Sequence, residues 1–170
     1  MTREVIVLPG GAYGPHAPLL MYAADAAEAR GASIRHVDYR HEPGADPGPW
    51  VLEKLGPVSG SPLLIAKSLG THAAEVAARQ NLPGIWLTPV LTSDWVVDAL
   101  RRATAPMLLV GGTGDKLWDG ALARELSPHV FEVDGADHGM YVPGRLAASA
   151  AVLGQVATAV EDFLDQVIWP

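Results

Sequence analysis

Short aliphatic runs alternate along the chain with longer stretches in which apolar residues recur at helical spacing. Val5–Leu8 reads as a strand closed by Pro9-Gly10-Gly11. Pro18 to Arg30 follows as a helix, with Leu19, Leu20, Ala23, Ala26 and Ala27 on one face and Gly31 as its stop. Ser33–Tyr39 returns as a strand, Glu42–Pro49 is a breaker-rich loop, and a short helix is expected near Trp50–Leu55. Leu63–Ala66 reads as a buried strand, and Gly70–Gln80 as a helix with Ala73, Val76 and Ala77 turned inward. The alternation continues through strand Ile85–Leu87, a helix from about Asp94 to Arg102, strand Met107–Val110, helix Gly120–Leu126 and strand Val130–Val133. A long helix from about Arg145 to Val167 comes last, with Leu146, Leu153, Val156, Val160, Phe163, Leu164 and Val167 at helical spacing.

Strands that alternate with helices are βα units, and these build a mostly parallel sheet covered on both faces. Right-handed crossovers restrict the topology to a doubly wound α/β sandwich. No repeat, low-complexity segment or linker divides the chain, so residues 1–170 are expected to form one domain.

Composition narrows the function classes. Twelve Lys and Arg residues stand against 19 Asp and Glu, a net charge of −7. That acid excess argues against nucleic acid or an anionic membrane as partner, because phosphates call for a basic stripe. Hydrophobic residues make up 49% of the chain, enough for a sizeable core. There is no cysteine, which excludes disulfides, thiolate nucleophiles and cysteine-ligated metal centres. The apolar run near the N-terminus is too short for a signal peptide, and none approaches the ~20 residues of a membrane span. A soluble, cytoplasmic protein is expected.

In a doubly wound sheet, ligands gather at the carboxyl ends of the strands. Three such ends carry a suggestive set: Ala66-Lys67-Ser68-Leu69-Gly70, Gly111-Gly112-Thr113-Gly114-Asp115, and Gly135-Ala136-Asp137-His138-Gly139. A serine hydroxyl is a poor nucleophile until a base takes its proton, and it must project into the site. A tight strand-to-helix turn does this only where the flanking residues are small, as Ala66 and Gly70 are, although Ala66 stands where G-x-S-x-G has its first glycine.

With the early Val7-Leu8-Pro9-Gly10-Gly11-Ala12-Tyr13-Gly14 loop, these motifs resemble those of the α/β-hydrolase superfamily over nearly the whole chain. The resemblance implies a Ser-His-Asp triad of Ser68, His138 and Asp115, with no metal and no cofactor. It implies an oxyanion hole made by Leu69 N–H and an N–H of the early loop, Ala12 first and Gly11 next. The family's sheet usually has eight strands. The pattern here predicts a compact form lacking the first two, with strand order 2-1-3-4-5-6, no lid domain and an open site. An exposed sheet edge would then favour a homodimer.

The expected activity is hydrolysis of an ester or thioester, or of an amide, of a small-molecule acyl substrate through an acyl-enzyme. Its rate should fall on acidification, as the base takes up a proton. Two readings stand beside it: a binding protein on the same scaffold without turnover, and an acyl transferase or cyclase using the same triad. Asp94 is the alternative acid, whereas Asp134 and Asp137 adjoin His138 too closely along the chain, and Asp119 reads as a helix cap. Tyr13, Trp95, Trp118 and Met140, with Tyr141, lie in loops at the same edge and are the candidate substrate contacts. Trp86 reads as core, Lys67 as a solvated side chain, and His72 as a surface or packing residue. His36, Asp38, His41 and Glu42 cluster locally but match no common zinc spacing, and the glycines after the first strand form neither G-x-G-x-x-G nor a P-loop.

Overall fold

The computed structural model describes residues 2–39, 43–44 and 46–170. The two histidine-cluster members His41 and Glu42 lie outside the described residues. Six strands, β1 (Arg3–Leu8), β2 (Ala32–His36), β3 (Leu63–Lys67), β4 (Gly84–Leu87), β5 (Met107–Gly112) and β6 (His129–Val133), form one sheet in the order β2-β1-β3-β4-β5-β6. Every pairing is parallel, for example Val5 opposite Ile34 and Leu63, and Trp86 opposite Ala66 and Leu109. The α-helices among the described residues are α1 (Pro18–Glu28), α2 (Pro47–Leu55), α3 (Ala74–Gln80), α4 (Asp94–Arg102), α5 (Gly120–Leu126) and α6 (Leu146–Phe163).

The period of two along the strands sorts the core into two layers. Val5, Val7, Ile65, Ile85, Leu87, Leu108 and Val110 face α1 and α6. Ile6, Leu8, Leu64, Ala66, Trp86 and Leu109 face the opposite layer with α2, α3, α4 and α5. Trp86 is core, as its place within a strand suggested. All five residues of β3 are buried, so the central strand delivers its last residue to the sheet edge on a rigid support.

The differences from the sequence reading sit at element ends. β2 stops at His36, although Val37 N–H still reaches the Val7 carbonyl at 2.9 Å. α2 begins at Pro47, inside the expected loop, because prolines in a first turn lack only N–H groups that have no intrahelical partner. Gly48 in that turn lies against the Trp95 indole, which a Cβ would meet at 2.6 Å. The helix expected from Gly70 divides into a 3-10 segment, Ser68–Ala73, followed by α3. α6 ends at Phe163 and continues as a wider turn over Leu164–Ile168, where Trp169 N–H bonds back to the Leu164 carbonyl at 2.7 Å. No helix among the described residues is long and apolar enough to cross a membrane.

Candidate active site

Ser68 follows β3 directly and starts the 3-10 segment at φ 48°. A non-glycine residue in that region carries strain of order 1–3 kcal/mol, which the surroundings must hold in place. Gly70 explains the tightness of the turn. A Cβ there would sit 2.6 Å from the Leu8 carbonyl oxygen and 2.8 Å from that of Pro9. The end of β1 therefore packs directly on the turn that lifts Ser68. Thr88 (φ 43°) after β4 and Met140 (φ 61°) after β6 adopt the same unusual backbone at the same sheet edge. The remaining non-glycine case among the described residues is Asn81, the left-handed cap of α3.

His138 Nε2 lies 2.7 Å from Ser68 Oγ, and His138 Nδ1 lies 2.7 Å from Asp115 Oδ2. An ionised carboxylate only accepts, so Nδ1–H donates to Asp115, which leaves Nε2 to accept from the serine hydroxyl. The Asp115 side chain is 2% exposed, and its other oxygen accepts Leu117 N–H at 2.9 Å. The His138 ring, 39% exposed, opens to solvent.

The loops carrying these two residues interlock. Gly114 N–H donates to the Ala136 carbonyl at 2.9 Å, and a Cβ on Gly112 would meet that same oxygen at 2.2 Å. Thr113 Oγ donates to Asp134 Oδ1 and accepts Gly135 N–H. Asp137 Oδ1 accepts both Gly139 N–H and Tyr141 N–H at 2.9 Å, closing the turn that presents His138. Asp134 and Asp137 thus shape the loop and do not bond the imidazole. Asp94 is exposed in the first turn of α4 and is not a partner of His138. Asp119 caps α5 by accepting Leu122 N–H at 3.0 Å.

Lys67 is not solvated. It is 2% exposed, and its Nζ donates to Thr88 Oγ1 and to the His138 carbonyl, each at 2.9 Å, while lying 4.7 Å from the centre of the Tyr13 ring. Desolvation lowers its pKa from the ordinary 10.5 to about 8, opposed by the charges of Asp115 and Asp137. A lysine at the end of a strand reads as a surface residue in sequence; only the convergence of three loops over it removes the water.

Tyr13 and Met140 line a mainly apolar cavity of about 250 Å³ with Leu19, Gly139, Tyr141, Leu146 and Leu153; it reaches the site through Gly139, the neighbour of His138, while Ser68, His138 and Asp115 do not line it. The Tyr13 hydroxyl also accepts Leu19 N–H at 2.7 Å, serving the first turn of α1, whose cap residue Ala17 has no side-chain acceptor. The structure does not bring Trp95 or Trp118 to this cavity. Trp95 packs on Gly48 and donates its indole N–H to the His72 carbonyl at 3.0 Å. Trp118 covers Gly111 and donates to Glu132 Oε2 at 2.7 Å. Both rings have the size and polarity of site residues but are consumed by close packing on glycine. His72 is buried, with Nδ1–H on the Leu69 carbonyl at 2.8 Å, and desolvation lowers its pKa.

Leu69 N–H belongs to the first turn of the 3-10 segment, which has no carbonyl of its own to offer it. Neither Gly11 N–H nor Ala12 N–H donates to a partner among the described residues. Gly11 approaches this turn, since a Cβ there would lie 3.8 Å from the Leu69 side chain. Among the described residues, no group of three or more His, Asp or Glu side chains is arranged to hold a metal ion.

No protein-family model and no curated protein matches the sequence. Solved structures do match the fold. Est1E from Butyrivibrio proteoclasticus, with ferulic acid bound, superposes with a TM-score of 0.73 at 14% identity, over 99% of this chain and 90% of its own. An α/β serine hydrolase homologue from Coxiella burnetii gives 0.67 at 17% identity, over 96% and 85%. A putative hydrolase of the α/β superfamily from Xanthomonas campestris gives 0.68 at 20% identity, over 97% and 99%. The fold is that of the α/β-hydrolases.

Proposed function

We propose that the protein is a serine hydrolase cleaving an ester or thioester of a small molecule through an acyl-enzyme on Ser68. The observation that carries this reading is the unbroken chain Ser68 Oγ–His138–Asp115, with both links at 2.7 Å and the serine raised on a strained turn.

The chemistry follows from the geometry. Ser68 Oγ attacks the acyl carbon while its proton passes to His138 Nε2, and Asp115 stabilises the imidazolium and holds its tautomer. The tetrahedral oxyanion is taken by Leu69 N–H and an N–H of Gly11 or Ala12, where losing one donor costs about 3–4 kcal/mol of barrier. Collapse expels the alkoxide or thiolate, which receives the proton from Nε2. A water molecule, deprotonated by the same nitrogen, then releases the acid and restores Ser68. The cavity of about 250 Å³ that adjoins the His138 turn at Gly139 is the candidate for the acyl or leaving group; it lies below the ~300–1,000 Å³ usual for drug-sized ligands, which favours a small apolar group.

The test is labelling with a fluorophosphonate probe, located by peptide mass spectrometry, with Ser68→Ala as control. An adduct on Ser68, abolished in the variant, is the expected result. A folded protein that takes up no label and hydrolyses no p-nitrophenyl ester would overturn the proposal.

A further inference from the structure

We infer that Lys67 is a positioning residue, whose buried ammonium ties the backbone of the base to that of the nucleophile; the inference rests on the hydrolase reading above. Lys67 adjoins Ser68 in the chain, and its Nζ donates to the carbonyl of His138 itself. With His138 Nε2 on Ser68 Oγ, these links close a ring: Ser68, Lys67, the His138 backbone, the imidazole, and back to Ser68.

The ammonium gathers three of the loops at this sheet edge, and the Asp115 loop is not among them. It reaches Thr88 after β4 and His138 after β6, and the ring of Tyr13 after β1 lies over it. Two of its three N–H groups have oxygen acceptors, which leaves the third for the face of the Tyr13 ring. Tyr13 belongs to the loop that carries Gly11 and Ala12, so oxyanion donors, nucleophile and base all meet at one charge.

Two features argue that this charge serves the site. The first is its cost. Burial of an ammonium is unfavourable, as the lowered pKa reflects, whereas an apolar side chain of equal length would fill the space without that penalty. The second is the position of His138. Its ring is partly exposed, and its loop is held mainly by bonds within itself and to the Asp115 loop. The Lys67 bond fixes the base from the nucleophile's side. Without it the His138 carbonyl loses its donor, and the imidazole can drift from Ser68 by the fraction of an ångström that matters in proton transfer.

The test compares Lys67→Met and Thr88→Val with the wild-type protein by p-nitrophenyl butyrate kinetics, fluorophosphonate labelling rate, and the downfield proton resonance of His138 Nδ1–H. That resonance is assigned by its loss in Asp115→Asn. For Lys67→Met we expect kcat and labelling rate to fall ~10–100-fold with KM changed less than about twofold, since a misplaced base slows the chemistry while leaving binding intact. The Nδ1 proton should shift or broaden. Thr88→Val, which keeps a β-branched side chain at the same backbone angle, should give smaller changes of the same sign, and it carries the test where Lys67→Met does not fold. Wild-type rates with an unmoved resonance, or an effect confined to KM, would overturn the inference. A wild-type protein inert to both reagents would overturn the hydrolase reading instead. The tether is then judged by the resonance alone: a shift supports it, and an unchanged signal removes it.

Discussion

Replacing Gly70 with alanine joins the fold to the site in one methyl group. The new Cβ would lie 2.6 and 2.8 Å from the carbonyl oxygens of Leu8 and Pro9 and 2.9 Å from the Leu8 Cβ. Ordinary contacts begin at 3.4 Å, so the overlap with the Leu8 oxygen is 0.8 Å (3.4 − 2.6). No flexible side-chain tip can yield, because two of the three obstacles are backbone at the end of a central strand. Overpacking of this kind costs about 1–3 kcal/mol, set against less than ~1 kcal/mol gained from restricting the unfolded chain. A net loss near 2 kcal/mol corresponds to a fall in Tm of roughly 4–8 °C for a domain of this size. The relief must come from moving the turn away from β1, and this displaces Ser68 from the loop that holds Gly11 and Ala12. Fluorophosphonate labelling should therefore slow by about tenfold, from the steep dependence of such reactions on placement. Calorimetry and a labelling time course measure both quantities on one preparation. A Tm within a degree of wild type together with unchanged labelling would refute the packing argument at its root.

Gly154 offers the opposite sign on the same substitution: it is exposed in α6 with no atom near its missing Cβ, so Gly154→Ala should add about 0.5–1 kcal/mol and raise Tm by ~2 °C in the same calorimetric assay. Asp115→Asn should lower kcat by roughly 10⁴ in the p-nitrophenyl ester assay by spoiling the His138 tautomer, whereas Asp94→Asn should leave it near wild type; the reverse pattern would move the acid to α4. Lys67 also makes stability depend on alkaline pH. The unfolded lysine holds its proton up to 10.5 and the folded one only to about 8, so the unfolded state binds more protons between these values and wild-type stability gains on rising pH there. Chemical denaturation of wild type and Lys67→Met from pH 8 to 10 should show the wild type gaining up to ~1.4 kcal/mol per unit relative to the variant, and parallel curves would contradict the buried ammonium.

The sheet was readable from the sequence because its four inner strands, β1, β3, β4 and β5, carry continuous apolar runs and the helices between them an apolar face. Both signals survive without knowledge of contacts. The nearness of Ser68, His138 and Asp115 was readable because glycine-rich turns at strand ends announce where a polar side chain can project. What was not legible depended on distant parts of the chain meeting. Trp95 and Trp118 look alike in sequence to a pocket aromatic, and only the close approach of Gly48 and Gly111 shows that their faces are already covered. Lys67 misleads for the same reason: nothing near it in sequence excludes water, and its cover comes from Tyr13, Thr88 and His138. The start of α2 was hidden by Pro47 and Pro49, which signal a loop in isolation but suit a first helical turn.

The distribution of strain and charge at the site follows from the rigidity of the sheet beneath it. Ser68, Thr88 and Met140 each hold a positive φ at the carboxyl edge; Ser68 and Thr88 directly follow β3 and β4, and Met140 lies in the loop after β6. Conformations costing of order 1–3 kcal/mol apiece persist only where the flanking structure leaves no alternative. For Ser68 that constraint is the fully buried β3 below and the Leu8 and Pro9 carbonyls against Gly70. For Thr88 it is the 2.7 Å bond from its N–H to the Val110 carbonyl together with the Lys67 ammonium on its hydroxyl. For Met140 it is the Asp137 turn and burial of the side chain at 3% exposure. Asp115 is buried with each carboxylate oxygen hydrogen-bonded, to Leu117 N–H and to His138, so it is held against the imidazole, whereas the His138 ring is open to solvent. A sheet that could flex would relax all three backbones and separate the 2.7 Å contacts; one sealed by apolar layers on both faces holds them.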